Sequence, residues 1–392
     1  MKNDLFDYID SISGRLAAMS DAIFDRPETA FEERFAAKLL TDYLTERGFE
    51  VKLGLGSLDT AFRASYDCGG DGPAIGLLCE YDALPAMGHG CGHQMQGPAI
   101  LGAADALKTC MERNPCRPCR IVVYGTPGEE GAGGKVIMLR EGFFRDIDVA
   151  LMMHGGPATQ TDVKSMALES LDVEFHGRST HAALKPEEGR SALDALLLAI
   201  QGVEFMREHV REDTRMHYTI VDAGGPANVV PAHAAGHFTL RSYNSAYLDE
   251  VVRRFADIVK GAALMSGTTG EVHSRQRLEG KVPVPLLNDL LMRNAELVDA
   301  PNRKPAREKT GSTDFGNVMY VLPGAVIRAA FVPDGTSSHS AEFVAAGKSA
   351  AAHAAVTDSA KILAATSFDL IEDPGLLESA KREFAEVKER MR

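Results

Sequence analysis

A glycine-rich stretch at residues 88–97, GHGCGHQMQG, concentrates side chains that can bind metal ions. Cys91 and His93 lie two positions apart, and a Cys-x-His spacing on a tight turn can aim both side chains at one point. A thiolate with an imidazole suits zinc, manganese, cobalt or iron better than magnesium or calcium. An isolated cysteine, by contrast, is usually a small buried hydrophobe. The stretch therefore indicates a transition-metal site if other segments supply further donors.

Three later segments carry such donors. TPGEEGAGG contains Glu129 and Glu130, LMMHGGP contains His154, and GTSSHSAEF contains His339, which alone would be taken for a surface histidine. Adjacent residues in an extended segment point in opposite directions. One glutamate can therefore bind a metal while the other faces the substrate as a general base. The glycines before Lys135 do not form a phosphate loop, because no Ser or Thr follows the lysine and two carboxylates would repel phosphate.

The elements that must position these donors alternate between strands and helices. AIGLLCEYDALP, CRIVVYGTPGEEG and DVALMMHGGP each read as a buried strand ending in a loop, and GPAILGAADALKTCMER and GKVIMLREGFF read as the helices between them. This alternation predicts an α/β fold with a mainly parallel sheet covered on both faces. Ligands in such folds bind at the carboxyl ends of the strands. The candidate donors in these three segments fall just after a predicted strand.

The pattern changes at about residue 168. Strand, helix, two strands, a second helix and a final extended segment predict a compact α+β unit of β-α-β-β-α-β order, which is ferredoxin-like. KVPVPLLNDLL, near residue 282, is expected to return the chain to the first domain. The prediction is thus a discontinuous catalytic domain of residues 1–167 and 283–392, with an inserted domain of residues 168–282.

The bulk composition excludes several classes of protein. The chain has 392 residues and a formal net charge of −13, which argues against nucleic-acid binding. No apolar segment resembles a secretory signal or reaches the roughly 18 residues that span a bilayer, so a cytoplasmic protein without membrane contact is expected. The six cysteines are expected to be free thiols or ligands. The Cys116–Cys119 pair has no second pair nearby and is interpreted as an ordinary loop.

The motifs together resemble a known family. In chain order they are YDALP, GHGCGH, TPGEEG, MMHGGP, HGRSTHAALKP, GGPANVVP and SSHSAEF. This set resembles the aminoacylase/carboxypeptidase family of metal-dependent amidohydrolases. It is most similar to the branch of indole-acetyl-amino-acid hydrolases and, closer still, to aminobenzoyl-glutamate hydrolase and the cytosolic β-alanyl dipeptidases. GSTDFGNVMYVLPG strengthens the dipeptidase-like resemblance, which runs from about residue 15 to about residue 385.

The resemblance implies a role for each matching residue. One or two divalent transition-metal ions, zinc or manganese, would be bound by Cys91, His93, Glu130, His154 and His339. Cys91 would lie between two metal positions, and Asp82 would orient a ligand histidine. Glu129 would be the general base and acid.

The inserted domain would also contribute to the site. The resemblance implies a homodimer formed through this domain, with His181 reaching the active site of the partner subunit to stabilise the oxyanion. Asn228 and Arg241 would help to bind the polar end of the substrate. Taken alone, these two residues would be read as a turn residue and a surface charge.

The implied reaction is hydrolysis of the amide bond of a small N-acyl amino acid, dipeptide or aroyl-amino acid. Metal-activated water would give its proton to Glu129, which would pass it to the leaving amine. The family usually carries Asp or Asn where this chain has Gln94, so the second metal position or the pocket is expected to differ. Three alternatives remain: cleavage of another carbon–nitrogen bond such as that of an aryl amine, a non-catalytic metal- or ligand-binding protein, and a hydrolase with Cys91 as nucleophile.

Overall fold

The computed structural model describes residues 1–114 and 117–391 and divides into two compact units. The first unit consists of residues 1–164 and 281–390, and the second of residues 165–280 with Met391. Cys116 lies outside the described residues, whereas Cys119 is a buried free thiol.

The strands and helices of the described residues are numbered in chain order. The strands are β1 (Glu50–Leu55), β2 (Leu58–Asp67), β3 (Ala74–Cys79), β4 (Arg120–Gly125), β5 (Val149–Gly156), β6 (Gln160–Ser165), β7 (Ala167–His176), β8 (Arg215–Asp222), β9 (His233–Ser242), β10 (Thr269–Leu278), β11 (Arg307–Thr310) and β12 (Gly324–Ala330). The helices are α1 (Lys2–Phe24), α2 (Arg34–Glu46), α3 (Gln96–Arg113), α4 (Gly134–Arg140), α5 (Ala192–Arg207), α6 (Ser245–Ser266), α7 (Pro285–Leu297), α8 (Phe315–Val321), α9 (Ala341–Ala345), α10 (Ala350–Glu372) and α11 (Pro374–Arg390).

The first unit is built on an eight-stranded sheet of order β1-β2-β4-β3-β5-β12-β6-β11. Its four central strands, β4, β3, β5 and β12, run parallel, and β1, β2 and β6 pair antiparallel to their neighbours. Along β3, Leu77 joins the core on one face and Leu78 the core on the other. Because both faces are buried, these strands read as continuous apolar runs. The prediction of an α/β fold with a mainly parallel central sheet is confirmed.

The second unit is a four-stranded antiparallel sheet of order β10-β7-β9-β8, packed against α5 and α6. Its elements follow the predicted order β7, α5, β8, β9, α6, β10. Local signals set the helix ends: the side chain of Asn244 accepts a hydrogen bond from the Tyr247 amide before α6, and Gly267 ends that helix with φ +67°.

Among the described residues, no helix combines the length and the apolar character needed to cross a membrane.

A half-buried carboxyl group in α10 gives a pH-dependent prediction. Burial raises the pKa of Asp358 to about 6, and the positive charge of Lys361 opposes this only in part. A carboxyl whose pKa rises on folding stabilises the fold less as the pH rises through that value. We expect Asp358→Asn to stabilise the protein by about 1 kcal/mol at pH 8, after allowance for partial exposure, and by nothing at pH 4. Thermal unfolding of both proteins from pH 4 to 8 measures this difference, and a pH-independent difference would contradict it.

Candidate active site

The turn that follows β3 brings Cys91 and His93 to the carboxyl end of the sheet. Gly88 and Gly92 have φ of +76° and +81°, a left-handed conformation that glycine adopts without strain. His93 then begins a short 3₁₀ turn, His93–Met95, that leads into α3. His89 does not join the other donors, since it stacks on Phe24 and lies 3.2 Å from the Ile23 carbonyl oxygen. It is a packing residue.

Cys91 is shared by two groups of metal-capable atoms. The donor atoms of Cys91, His93 and His154 lie within 4.8 Å of one another, and so do those of Cys91, Glu130 and His339. His339 reaches this point from the loop before α9, where its backbone has φ +63° and its amide donates to the Gly90 carbonyl oxygen at 2.9 Å. The structure therefore brings together the metal-ligand candidates that the sequence indicates.

Asp82 fixes the orientation of His93. The Nδ1 atom of His93 lies 3.1 Å from both the carbonyl and Oδ1 of Asp82, so Nδ1 is the donor. The other carboxylate oxygen of Asp82 accepts the Glu130 amide at 2.8 Å. His93 Nε2 is buried without a hydrogen-bond partner and lies 3.3 Å from a Glu80 carboxylate oxygen. A proton or a metal cation must lie near that nitrogen, because a bare lone pair would repel the carboxylate.

His154 lies near the carboxyl end of β5, and neighbouring groups also fix the orientation of its ring. Its Nδ1 lies 2.8 Å from the Gly155 carbonyl oxygen and 3.1 Å from Nη1 of Arg328. The other ring nitrogen, Nε2, lies 3.5 Å from Cys91 Sγ and so faces the other metal-capable donors. Burial and the Arg328 charge lower the pKa of His154 to about 3, so the ring is neutral, as a metal ligand must be.

Glu129 lies between the metal-capable donors and a set of buried acids. Its carboxyl oxygens come within 4.8 Å of donor atoms of His93 and Glu130, and also of Glu80 and Asp314. Burial, together with the negative charges of Glu80 and Asp314, raises its pKa to about 8. This carboxyl can therefore hold a proton close to neutral pH.

A buried lysine beside Glu129 was not predicted as part of the site. Lys135 Nζ donates to Glu80 at 2.6 Å and to Asp314 at 2.7 Å, and all three side chains are buried. The Lys135 amide also donates to Asp314, at 2.9 Å, at the start of α4. Gln96 donates to the second Glu80 oxygen at 2.7 Å. The network ties the Glu129 loop to β3 and α8. Lys135 lies in the segment TPGEEGAGGK and Asp314 in GSTDFG, but the sequence alone does not show that these two residues pair.

Gln94, the departure from the family pattern, is also buried. Its Nε2 donates to the Gly347 carbonyl oxygen at 3.2 Å, and its Oε1 accepts no hydrogen bond among the described residues. The longer amide thus contacts the segment before α10.

Four of the five candidate ligands line a cavity of about 280 Å³ within the first unit, together with Glu129; they are Cys91, Glu130, His154 and His339. Its walls also carry three cationic side chains, Lys281, Arg307 and Arg328, and a polar segment from Thr310 to Thr313. A cavity of about 870 Å³ lies along α7, and its lining residues include no cysteine or histidine.

The remaining predicted site residues belong to the second unit. His181 forms an isolated bridge with Val229, and the Asn228 carbonyl oxygen accepts the Ala182 amide at 3.0 Å. These two segments are therefore neighbours within that unit. Arg241 lies on β9, where burial lowers its pKa.

A polar, metal-capable cavity at the carboxyl edge of a parallel sheet lies where α/β enzymes carry their active sites. Residues 166–264 match the peptidase dimerisation domain of the M20 family. The chain is 31% identical to the mouse Xaa-Arg dipeptidase, across 98% of this chain and 92% of that protein. It is also 31% identical to one of the two kinds of subunit of the p-aminobenzoyl-glutamate hydrolase of Escherichia coli, across 97% of this chain and 94% of that subunit.

A solved structure has the same fold. The dinuclear metal-binding peptidase of the M20 family from Bacillus subtilis superposes with a TM-score of 0.73 at 20% identity, covering 93% of this chain and 99% of that one. From the sequence relatives, the chain belongs to the M20 peptidase family and is an amidohydrolase. The predictions of family, fold class and enzyme class are confirmed.

Proposed function

We propose that the protein hydrolyses the amide bond of a small N-acyl amino acid, dipeptide or aroyl-amino acid, with Glu129 as general base and acid. The observation that carries this proposal is the position of the Glu129 carboxyl, which lies within 4.8 Å of donor atoms of His93 and Glu130. His93 and Glu130 each belong to a group of metal-capable side chains that includes Cys91. The names of the relatives, a dipeptidase and an aminobenzoyl-glutamate hydrolase, support these substrate classes.

The donor set fits one or two divalent transition-metal ions, zinc or manganese. Sulfur, imidazole and carboxylate donors suit such ions, and the buried atoms His93 Nε2 and Glu130 Oε1 have no hydrogen-bond partner among the described residues. The ligands would be Cys91, His93, Glu130, His154 and His339. When bound, the ion would supply a Lewis acid that polarises the amide carbonyl and makes water more acidic.

The protein's own residues would then move the proton and position the ligands. Glu129 takes a proton from the attacking water on a carboxylate oxygen and delivers it to the leaving nitrogen. Asp82 keeps His93 in the tautomer whose Nε2 lone pair faces the donors. These two roles need the buried, rigid setting that the β3 and β4 strand ends provide.

We also propose that the second unit forms a homodimer and that His181, Asn228 and Arg241 act on the substrate, His181 by donating to the oxyanion in the partner subunit's site. The match of residues 166–264 to a dimerisation domain supports this. The edge strand β8 and helix α5 expose large apolar side chains, among them Val221 at 68% and Phe205 at 69% exposure. An exposed strand edge and apolar patch fit an interface between two copies.

The five described cysteines are free, which supports a cytoplasmic location as part of this proposal.

Metal removal gives the direct test of this function. Purified protein is incubated with dipeptides, β-alanyl dipeptides, N-acyl amino acids and aroyl-glutamates, and released amine is measured with and without chelator. We expect release from at least one class, its loss by a factor of at least about 100 with chelator, and its recovery with zinc or manganese. Release that survives the chelator would instead favour Cys91 as nucleophile. No release from a metal-loaded protein would favour another carbon–nitrogen substrate.

A further inference from the structure

One face of the sheet in the second unit carries metal-capable side chains that the proposed hydrolysis does not use. Val173 and Phe175 of β7 belong to the core that α5 and α6 cover. Glu174 and His176 alternate with them along the strand and therefore lie on the opposite face. His233 of β9 is the direct partner of His176 in the antiparallel register. The register thus brings two imidazoles and one carboxylate together on the face away from the helices.

The donor atoms of these three side chains lie close enough to share one ion. A single carboxylate oxygen of Glu174 lies 3.4 Å from His233 Nε2 and 3.8 Å from His176 Nε2. One donor atom from each of the three side chains lies within 4.8 Å of the other two. Ligand atoms that bind a tetrahedral zinc ion at about 2.0–2.2 Å lie roughly 3.4 Å from one another. Small side-chain movements would therefore be enough to place all three around an ion.

Asp222, at the end of β8, fixes the ring of His233. One oxygen of its carboxylate lies 2.7 Å from His233 Nδ1, and the other accepts the Gly224 amide at 2.9 Å. Because an ionised carboxylate can only accept, Nδ1 is the donor, and Nε2 is the nitrogen that faces Glu174. Histidines that bind metals usually donate their second ring nitrogen to a carboxylate or carbonyl oxygen in this way.

The charges around this group favour a cation. Glu271 of β10 lies directly opposite Glu174 in the register, and like charges in that position repel each other. Among the described residues, histidines are the ion-pair partners of Glu174 and Asp222, and no lysine or arginine nitrogen lies within 4 Å of either carboxylate. A bound divalent ion would supply the positive charge that these carboxylates lack.

We propose that Glu174, His176 and His233 bind a divalent transition-metal ion such as zinc, at a site that shares no ligand with the proposed active site. Two imidazoles and one carboxylate form a ligand set that zinc accepts, and they leave its fourth position open. The three side chains are partly exposed, so an ion can enter from solvent. When bound, the ion would link β7 to β9 beside the segment that carries His181. The site does not rest on the proposed hydrolysis.

The test counts the zinc ions bound to the full chain. Wild-type and variant proteins are dialysed to equilibrium against rising free zinc concentrations, and bound zinc per chain is measured. We expect His233→Gln and Glu174→Gln each to bind one zinc ion fewer than the wild type. Asp222→Ala keeps all three ligands and should weaken this binding step by about 10- to 100-fold. Glu130→Gln alters the proposed active site and should keep the step. Circular dichroism without zinc shows whether each variant is folded.

The matched control is His237→Gln. His237 lies on the same strand and face as His233, and its Nδ1 also contacts a carboxylate, that of Asp172, at 2.9 Å. Its Nε2 lies 3.3 Å from Ser170 Oγ, and among the described residues it belongs to no group of three metal-capable side chains. It should leave the zinc count unchanged. Equal zinc counts in His233→Gln and the wild type would overturn the site, because the carboxylates would then hold only a protonated histidine. The same loss in both histidine variants would overturn it as well, because zinc would then bind the face without a defined site.

Discussion

Replacing Glu129 with glutamine should lower kcat by about 10³-fold while leaving KM and the bound metal nearly unchanged. Glutamine keeps the shape of the side chain but cannot accept a proton from water. The Glu129 carboxyl already lies within 4.8 Å of donor atoms of His93 and Glu130, so it is close enough to serve a water molecule held there. Steady-state kinetics on the best substrate, together with metal analysis of the purified variant, measure both effects.

The adjacent residue supplies the control. Glu130→Gln removes a proposed ligand rather than the base, so we expect it to lower the metal content, with activity partly recovered at high metal concentration. Adding metal should not rescue Glu129→Gln. If Glu129→Gln retained wild-type kcat, or if it lost its metal as Glu130→Gln is expected to, the assignment of the base would be wrong.

Much of the fold followed from local patterns in the sequence. The strands β3, β4 and β5 are mostly apolar, and polar residues or glycines follow the apolar run in each. Because strand ends in a parallel sheet meet at one edge, the strand pattern alone places Cys91, Glu130 and His154 close together. The β-α-β-β-α-β order of the second unit could also be predicted, because its strands and helices carry clear local patterns.

What the sequence did not predict depends on long-range contacts. The strands β6 and β11 consist mostly of polar residues, and a partly exposed strand of that composition cannot be told from a loop in the sequence. Lys135 and Asp314 are 179 positions apart, and neither has a local pattern that marks a buried ion pair. The same holds for Asp162 and Arg328, 166 positions apart. Charged residues are usually exposed, so a sequence pattern alone favours the surface for all four.

Lys135 should be the most costly of the residues discussed to replace. Lys135→Met would leave the buried carboxylates of Glu80 and Asp314 without their shared cation, and breaking such a pair costs about 3–5 kcal/mol. The Lys135 amide would still be able to donate to Asp314 at the start of α4, so the cost comes from the lost side-chain charge. Equilibrium unfolding in denaturant, with metal removed from both proteins, measures the loss in the free energy of unfolding.

Two comparisons separate this charge effect from a general effect of losing a lysine. Lys38→Met breaks an exposed pair with Asp42, at 2.8 Å, and should cost no more than about 0.5 kcal/mol. Adding Asp314→Asn to Lys135→Met removes one of the two stranded charges and should recover part of the stability, because Gln96 still donates to Glu80. A Lys135→Met protein as stable as the wild type would mean that the buried acids are neutralised by something other than the lysine. Recovery of unfolding free energy in the double variant would instead establish that the Lys135 charge allows several carboxylates to lie close to the proposed base.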